Sequence, residues 1–400
     1  MNVLRQEVRV TFGYPVHFTE DVFDPGNPVL RTVLSSVSDP PPSQTIFVVD
    51  AGVLAAHRGL VERIEAYCAR HADAIALAGP VLEVPGGEQV KNDSSHLADI
   101  HRAIQTAALC RHSYVVAIGG GAVLDVVGYA AATAHRGVRL VRVATTVLSQ
   151  DDSAVGVKNG INAYGKKNYF GTFAPPFAVI NDAAFLSTLS DRDWRAGLAE
   201  AVKAALIRDA PFFDELERDA ARLVERDAEA MRHAVHRSAA LHLAHIAGGD
   251  PFELGTSRPL DFGHWAAHKL ETLTDNRLRH GEAVSIGIAL DCTYARLLGY
   301  LSEPEWDRIL NLLAALRLPL YAPELTEHLT TADHPRCVLQ GLREFREHLG
   351  GQLTIMLLRS IGNPFDVHEI DADVMIRSVD VLKDAAEARP DVAAGREVPL

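Results

Sequence analysis

Ser113–Gly137 reads SYVVAIGGGAVLDVVGYAAATAHRG. The apolar run Tyr114–Ile118 is short, continuous and closed by glycines, the pattern of a strand buried on both faces. The Ala/Val-rich run that follows Gly119-Gly120-Gly121 has the length and composition of a helix. Strand, glycine turn and helix together predict one unit of a parallel α/β sheet. Backbone amides at such a helix start can cradle a pyrophosphate. The pattern is not the GxGxxG fingerprint, because Val123 and Leu124 stand where spacing to a third glycine is required. A plain strand–helix turn would read the same way, and Asp125 would then be an ordinary acid of the first helical turn.

The stretches on either side extend the same alternation. Val8–Thr19 alternates apolar and polar like an edge strand, residues 35–44 form a Pro/Ser loop, and Thr45–Asp50 (TIFVVD) is a buried strand ending in an acid. A helix is expected over about Val53–Ala72, then a strand, the turn Pro85–Asp93 (PGGEQVKND), an amphipathic helix over 94–111, and a strand over 138–150. After about residue 190 long Ala/Leu/Glu/Arg segments take over: 191–207, 210–248, 262–274, 281–299, 303–316 and 338–349. Leu353–Gly362 is the late strand candidate. These readings give an α/β domain at 1–190, a mainly helical domain at 191–385 and a frayed tail at 386–400.

The chain has 400 residues, 48% hydrophobic and 23% charged, with a net charge of −13. That balance disfavours nucleic acid and anionic membranes as partners, while leaving room for a local basic pocket. Four cysteines (Cys68, Cys110, Cys292, Cys337) stand far apart without a CxxC and read as reduced thiols. No stretch approaches the ~20 apolar residues of a membrane helix. The first residues carry no signal-peptide pattern, so a cytoplasmic location is expected.

Three further stretches carry chemistry. In Arg258–Val284 (RPLDFGHWAAHKLETLTDNRLRHGEAV), His264 and His268 are four apart and share a helix face, and His280 opens the next apolar run. Two histidines and a carboxylate from elsewhere would make a three-ligand metal site with an open position, although surface histidines at this spacing are common. Glu200 and Lys203 form a charged pair inside the apolar helix Trp194–Ile207; the ordinary reading is a helical i,i+3 ion pair. Asp151–Pro176 is dense in Lys, Asn and Gly. It reads as too long and too polar for a structural hairpin, and Lys158, Asn162, Lys166, Lys167 and Asn168 could bind a phosphate and hydroxyls.

Taken together, Gly119–Gly137, Thr145–Asn159 (TTVLSQDDSAVGVKN), Tyr164–Phe173 (YGKKNYFGTF), Arg195–Lys203 (RAGLAEAVK), Asp261–His268 (DFGHWAAH) and His280–Val284 (HGEAV) resemble, in order and spacing, the 3-dehydroquinate synthase superfamily of sugar phosphate cyclases. The resemblance runs over roughly residues 45–365. It implies a Rossmann-like α/β NAD domain, a mainly α-helical metal-binding domain and an active site between them. By the same resemblance Glu200, His264 and His280 are the metal ligands, for zinc or cobalt. Asp152, Lys158, Lys167, Asn168, Lys203 and His268 are substrate-binding and catalytic positions. Arg136 reaches the phosphate across a homodimer interface. Asp50, Gly87, Glu88, Lys91, Gly120, Gly121, Asp125, Thr145 and Thr146 are nucleotide-binding positions.

The chain departs from true dehydroquinate synthases in four places. Asp261 stands for an asparagine. Leu243, next to His242, stands for a lysine. His348 falls near another lysine position, and Arg258 is an arginine shifted by one. A substrate carboxylate needs a charge-assisted partner, and lost cations disfavour it. RPxDFGH and REHLGG look like the C7-cyclitol synthases, which cyclise sedoheptulose 7-phosphate to a valiolone-type ketone, whereas His268 keeps a dehydroquinate-synthase character. The implied chemistry is transient oxidation by NAD, phosphate elimination, reduction, ring opening and aldol closure. A dehydroquinate synthase of the shikimate pathway is the nearest alternative. A metal-dependent polyol dehydrogenase would lack the phosphate-binding lysines, and a scaffold protein would not need an intact Glu200, His264 and His280.

Overall fold

The computed structural model describes residues 3–36, 42–248, 250–252, 255, 259–348 and 351–389, with only the backbone of His348. The chain divides into two compact units. The first is Met1–Ala144 with Gly156–Ala184; the second is Thr145–Val155 with Phe185–Leu400. The division after Ala184 falls six residues before the expected boundary. The short excursion Thr145–Val155 into the second unit leaves no compositional trace.

The first unit comprises β1 (Val16–Thr19), α1 (Val29–Ser35), β2 (Ser43–Asp50), α2 (Ala51–Ala56), α3 (Leu60–Arg70), β3 (Ile75–Leu77), β4 (Leu82–Val84), α4 (Ser94–Thr106), β5 (Tyr114–Gly119), α5 (Gly121–Thr133), β6 (Arg139–Ala144), β7 (Lys158–Ala163), β8 (Lys166–Phe173) and β9 (Ala178–Asp182). Its parallel sheet has the order β1-β9-β6-β5-β2-β3, with β4 also on β2. All six residues of β5 and all five of β9 are buried, as strands covered on both faces must be.

Three local expectations are corrected. The helix expected at 53–72 is two helices, interrupted where Gly59 takes a left-handed φ of 81°. The edge strand is only four residues long, and residues 3–15 lie outside the sheet. The polar stretch 151–176 does contain a hairpin: β7 and β8 pair antiparallel from Lys158↔Phe173 to Ala163↔Lys166. The turn is made by Tyr164 and Gly165, with φ of 55° and 70°. Two left-handed residues in succession are what a two-residue type I′ turn demands. The Lys/Asn/Gly richness that argued against a hairpin is therefore its turn and solvent-facing chemistry.

The second unit is built from α6 (Asp191–Ala196), α7 (Leu198–Arg208), α8 (Ala210–Val224), α9 (Ala228–Ala247), α10 (His264–Leu273), α11 (His280–Leu297), α12 (Glu303–Ala315), α13 (Gln340–His348), β10 (Ile355–Ser360), β11 (Asn363–Val367) and α14 (Ala372–Glu387). Its core is one continuous cluster that includes Trp194, Phe212, Phe213, Phe262, Trp265, Leu290 and Leu313. The apolar segment at 353–362 pairs with β11 as a short hairpin. Helix α14 was not expected; it extends to Glu387, past the point where a tail was expected, and residues 390–400 of that tail lie outside the described residues. No helix among the described residues is long and apolar enough to cross a membrane.

Two glycines set the spacing of the helices that carry chemistry. A Cβ on Gly287 of α11 would fall 1.9 Å from the Gly263 carbonyl oxygen, and one on Gly281 would fall 1.8 Å from that of Ala196. Only hydrogen fits there, so α11 lies directly against the start of α10 and the end of α6.

Candidate active site

Three helices of the second unit bring the expected metal ligands together. Glu200 and Lys203 lie on α7, one turn apart. His264 is the first residue of α10, reached through Gly263 at a φ of 77°, and His280 is the first residue of α11. The Nε2 atoms of His264 and His280 lie 3.7 Å and 3.3 Å from Glu200 Oε1. Ligands of a tetrahedral ion at ~2.0–2.1 Å stand roughly 3.3 Å apart, so the trio already has the spread of a coordination set. Glu200 is 1% exposed, yet neither of its carboxylate oxygens has a hydrogen bond of normal geometry among the described residues. A buried carboxylate left so is costly unless a cation meets it. The residues fit a divalent ion of the zinc or cobalt kind.

Lys203 is the one ammonium in this cluster among the described residues. It pairs with Glu200 and lies 3.6 Å from Asp152, whose Oδ1 is 2.9 Å from His242 Nδ1. Burial opposes every charge here, but the Asp152 and Glu200 carboxylates hold the Lys203 pKa above its ordinary value. In return, against the same burial, Lys203 holds both carboxyl pKa values below the usual range. Burial and then the Lys203 charge lower the His264 pKa, which keeps that imidazole neutral and able to ligate. Asp151 is different. It is 1% exposed, and neither carboxyl oxygen has a hydrogen-bond partner among the described residues. Burial, then Asp152 and Glu200, push its pKa well above the ordinary value. Asp152, Glu200 and Lys203 by themselves leave one negative charge, and a divalent ion would offset it.

His268 lies at the rim, its ring 5.4 Å from that of His264 and 6.1 Å from that of His280. Asp261 sits in a 3-10 turn before α10, and its charge acts on both Lys203 and His264. At the two neighbouring positions read from sequence, it is His242, not Leu243, that reaches the cluster. Arg258 lies outside the described residues, as does the side chain of His348.

The first unit gathers a second set. Lys91 is 4% exposed; its Nζ lies 2.8 Å from Asp125 and 3.8 Å from Glu88, and it also contacts Asn168. Asn162 donates to Glu88 and Asn92 and accepts from the Asn168 amide. Five of the residues singled out by sequence are thus one network, and Asp125 is an ion-pair partner, not a solvated acid. Asp50 ends β2 and caps α2, its Oδ1 accepting from Gly52 N at 2.8 Å. Burial raises its pKa, while the amides of Gly52, Val53 and Gly120 donate to it. Asp50 therefore positions the glycine turn at the carboxyl end of β5, where α/β sheets bind ligands. Gly120 precedes α5 and Gly121 begins it, and Gly87 is left-handed with a φ of 77°.

The remaining expected residues are distributed as follows. Lys158 is exposed at the start of β7, and Lys167 is half-buried on β8. Thr145 and Thr146 belong to the second unit; Thr145 is buried, and Thr146 Oγ1 bonds Ser149 at 2.9 Å. Arg136 is exposed just beyond α5. Arg142, not singled out by sequence, is fully buried and donates to the carbonyls of Gly156 and Lys158 and to Asn159, pinning the start of the hairpin.

Three acids of the second unit also escaped the sequence reading: Asp151, Glu271 and Asp291. Asp291 accepts from Trp265 Nε1 at 2.8 Å and from Gly263 N at 3.2 Å, gripping the residues on either side of His264. A lone acid in the apolar run of α11 was the available signal.

Comparisons with known proteins give the chain its family. The family model described as 3-dehydroquinate synthase N-terminal matches residues 81–196, and that described as 3-dehydroquinate synthase C-terminal matches residues 197–334. A 3-dehydroquinate synthase of Halorhodospira halophila is 37% identical over 328 residues, 79% of this chain and 89% of that protein. A 2-epi-5-epi-valiolone synthase of Streptomyces glaucescens is 33% identical over 377 residues, 92% and 91% of the two chains. Among solved structures, the 2-epi-5-epi-valiolone synthase of Streptomyces hygroscopicus subsp. jinggangensis, with NAD+ and Zn2+ bound, aligns with a TM-score of 0.84 at 29% identity, covering 96% of this chain and 100% of that one.

Proposed function

Because the chain belongs to the 3-dehydroquinate synthase family, we propose that it is an NAD- and divalent-metal-dependent sugar phosphate cyclase. Its substrate on this reading is sedoheptulose 7-phosphate and its product a valiolone-type cyclitol. The observation that carries the substrate choice is the charge around Lys203: Glu200, Asp152 and Asp261 all act on that one ammonium. His242, beside the position where a lysine was missed, is engaged with Asp152. Among the described residues the cluster has one buried ammonium, already shared by these acids, which disfavours a substrate carboxylate. The relationship to a valiolone synthase over 92% of the chain supports the same choice.

In this reading Glu200, His264 and His280 hold the ion, and the first-unit network around Glu88, Lys91 and Asp125, with the Gly120–Gly121 turn, holds NAD. When bound, the two cofactors supply reversible hydride transfer and Lewis-acid polarisation of a hydroxyl or ketone. Lys203 stays protonated between its carboxylates and can donate to a substrate oxygen. Asp152, oriented by His242 and Lys203, is an acceptor for a hydroxyl. Lys158 and Lys167 of the hairpin are the candidate phosphate partners, joined by Arg136 from a second copy in a homodimer.

A second reading, dehydroquinate synthase, draws on the 37% identity to a protein of that name and on His268. Phosphate release from sedoheptulose 7-phosphate and from the carboxylated sugar of dehydroquinate synthase, at equal concentration, separates the two. Faster turnover of sedoheptulose 7-phosphate is expected; faster turnover of the carboxylated sugar would assign the enzyme to the shikimate reaction.

A further inference from the structure

We propose that Glu271 is a positioning residue of the metal centre, holding His280 as its Nδ1–H tautomer so that Nε2 presents a lone pair beside Glu200. The proposal rests on the reading that Glu200, His264 and His280 hold one ion. The His280 ring lies between two carboxylates: its Nε2 is 3.3 Å from Glu200 Oε1 and its Nδ1 is 3.2 Å from Glu271 Oε2. A neutral imidazole has one donor and one acceptor nitrogen, and a carboxylate only accepts. If Nε2 ligates, the proton must be on Nδ1, and Glu271 is the acceptor in line with it.

The fold makes Glu271 suited to this. It follows His264 by seven residues and His268 by three, so it lies two turns along the same face of α10. It is only 4% exposed, so its carboxylate needs a donor, and the His280 Nδ1–H is one. The other ligand histidine is treated differently: His264 Nδ1 faces the Phe262 carbonyl at 3.0 Å, a neutral acceptor. A full negative charge behind His280 makes its Nε2 the more basic of the two donors. His268, Glu271 and His280 also lie close enough to be considered as ligands of an ion of their own. That arrangement would take away the Nδ1 proton and require His280 to serve two ions, so it predicts two ions per chain where the present proposal predicts one.

The test uses the whole chain, stripped of metal and titrated with Zn2+ or Co2+ against a competing chelator, with Glu271→Ala and Glu271→Gln beside the wild type. Loss of an outer-shell carboxylate typically weakens metal binding about 10–100-fold, and that range is expected for Glu271→Ala. Glu271→Gln keeps an acceptor without the charge, so a smaller loss is expected. Nitrogen-15 NMR of the metal-free wild type should show His280 protonated at Nδ1, a readout that stands even if Glu271→Ala does not fold. Metal affinity of Glu271→Ala within twofold of wild type, an Nε2–H tautomer, or two ions per chain would overturn the role of Glu271 alone. A wild-type chain that binds no ion would overturn the metal reading with it.

Discussion

Replacing Gly287 by alanine tests whether the contact between α10 and α11 sets the metal site. Propensity alone predicts a gain of about 1 kcal/mol for this change inside a helix. The structure predicts the opposite sign. The new Cβ would stand 1.9 Å from the Gly263 carbonyl oxygen and 2.8 Å from its carbon, against the 3.0 Å that real Cβ atoms respect, so the helices must part by about 1.1 Å. The obstacle is backbone and cannot rotate away. Overpacking of this kind costs roughly 1–3 kcal/mol or more, and a net loss of about 2 kcal/mol lowers the melting temperature by roughly 4–8 °C. Gly263 immediately precedes His264, and His280 lies two turns before Gly287 on α11. Site geometry tolerates about 0.5 Å, so metal affinity should fall at least about tenfold in a chelator-competition titration. Gly299→Ala is the control: it has a φ of 74° and no atom within 4 Å of a new Cβ. It should cost about 1 kcal/mol of backbone strain and leave metal affinity unchanged. A Gly287→Ala protein that melts no lower than wild type and binds metal equally well would refute the reasoning.

Three further outcomes are expected. His264→Ala should remove metal and turnover while circular dichroism stays native; undiminished metal content would reassign the ligands. Asp291, fully buried, has its pKa raised by burial to about 7 despite donors from Trp265 and Gly263. A raised carboxyl pKa means that its contribution is most favourable below about pH 4 and is lost as pH rises toward 7. The metal-free chain should therefore lose up to about 4 kcal/mol over that interval, and Asp291→Asn should flatten this slope; identical slopes in thermal melts would exclude the assignment. If Arg136 completes the phosphate site of a second copy, wild type should sediment as a dimer, and Arg136→Ala should raise KM for the sugar phosphate without dissociating it; a fully active monomer would contradict this.

Much of the molecule was legible in the chain itself. Tyr114–Thr133 could only be a buried strand, a glycine turn and a helix, because five apolar residues closed by three glycines leave no other way to satisfy the backbone. The helical half followed from composition. Glu200 and Lys203 stood out as charge inside an apolar run and His264 and His268 by their helical spacing; the set Glu200, His264 and His280 was what the family resemblance implied. Local pattern misled at 151–176, where the left-handed pair Tyr164–Gly165 makes a tight turn in a stretch that reads as too polar for a hairpin.

What sequence could not supply was pairing across distance. Asp291 meets Gly263 and Trp265 from 28 and 26 residues away, and His242 meets Asp152 from 90. Nothing local in residues 145–155 says that they pack with the helical unit, nor that Glu271 points back at His280. The contacts of Asp291 and Glu271 depend on how closely α10 and α11 approach, which Gly263 and Gly287, without side chains, permit. A hydrogen in place of a methyl group has no periodicity to read. Its consequence exists only when a second backbone arrives to fill the space.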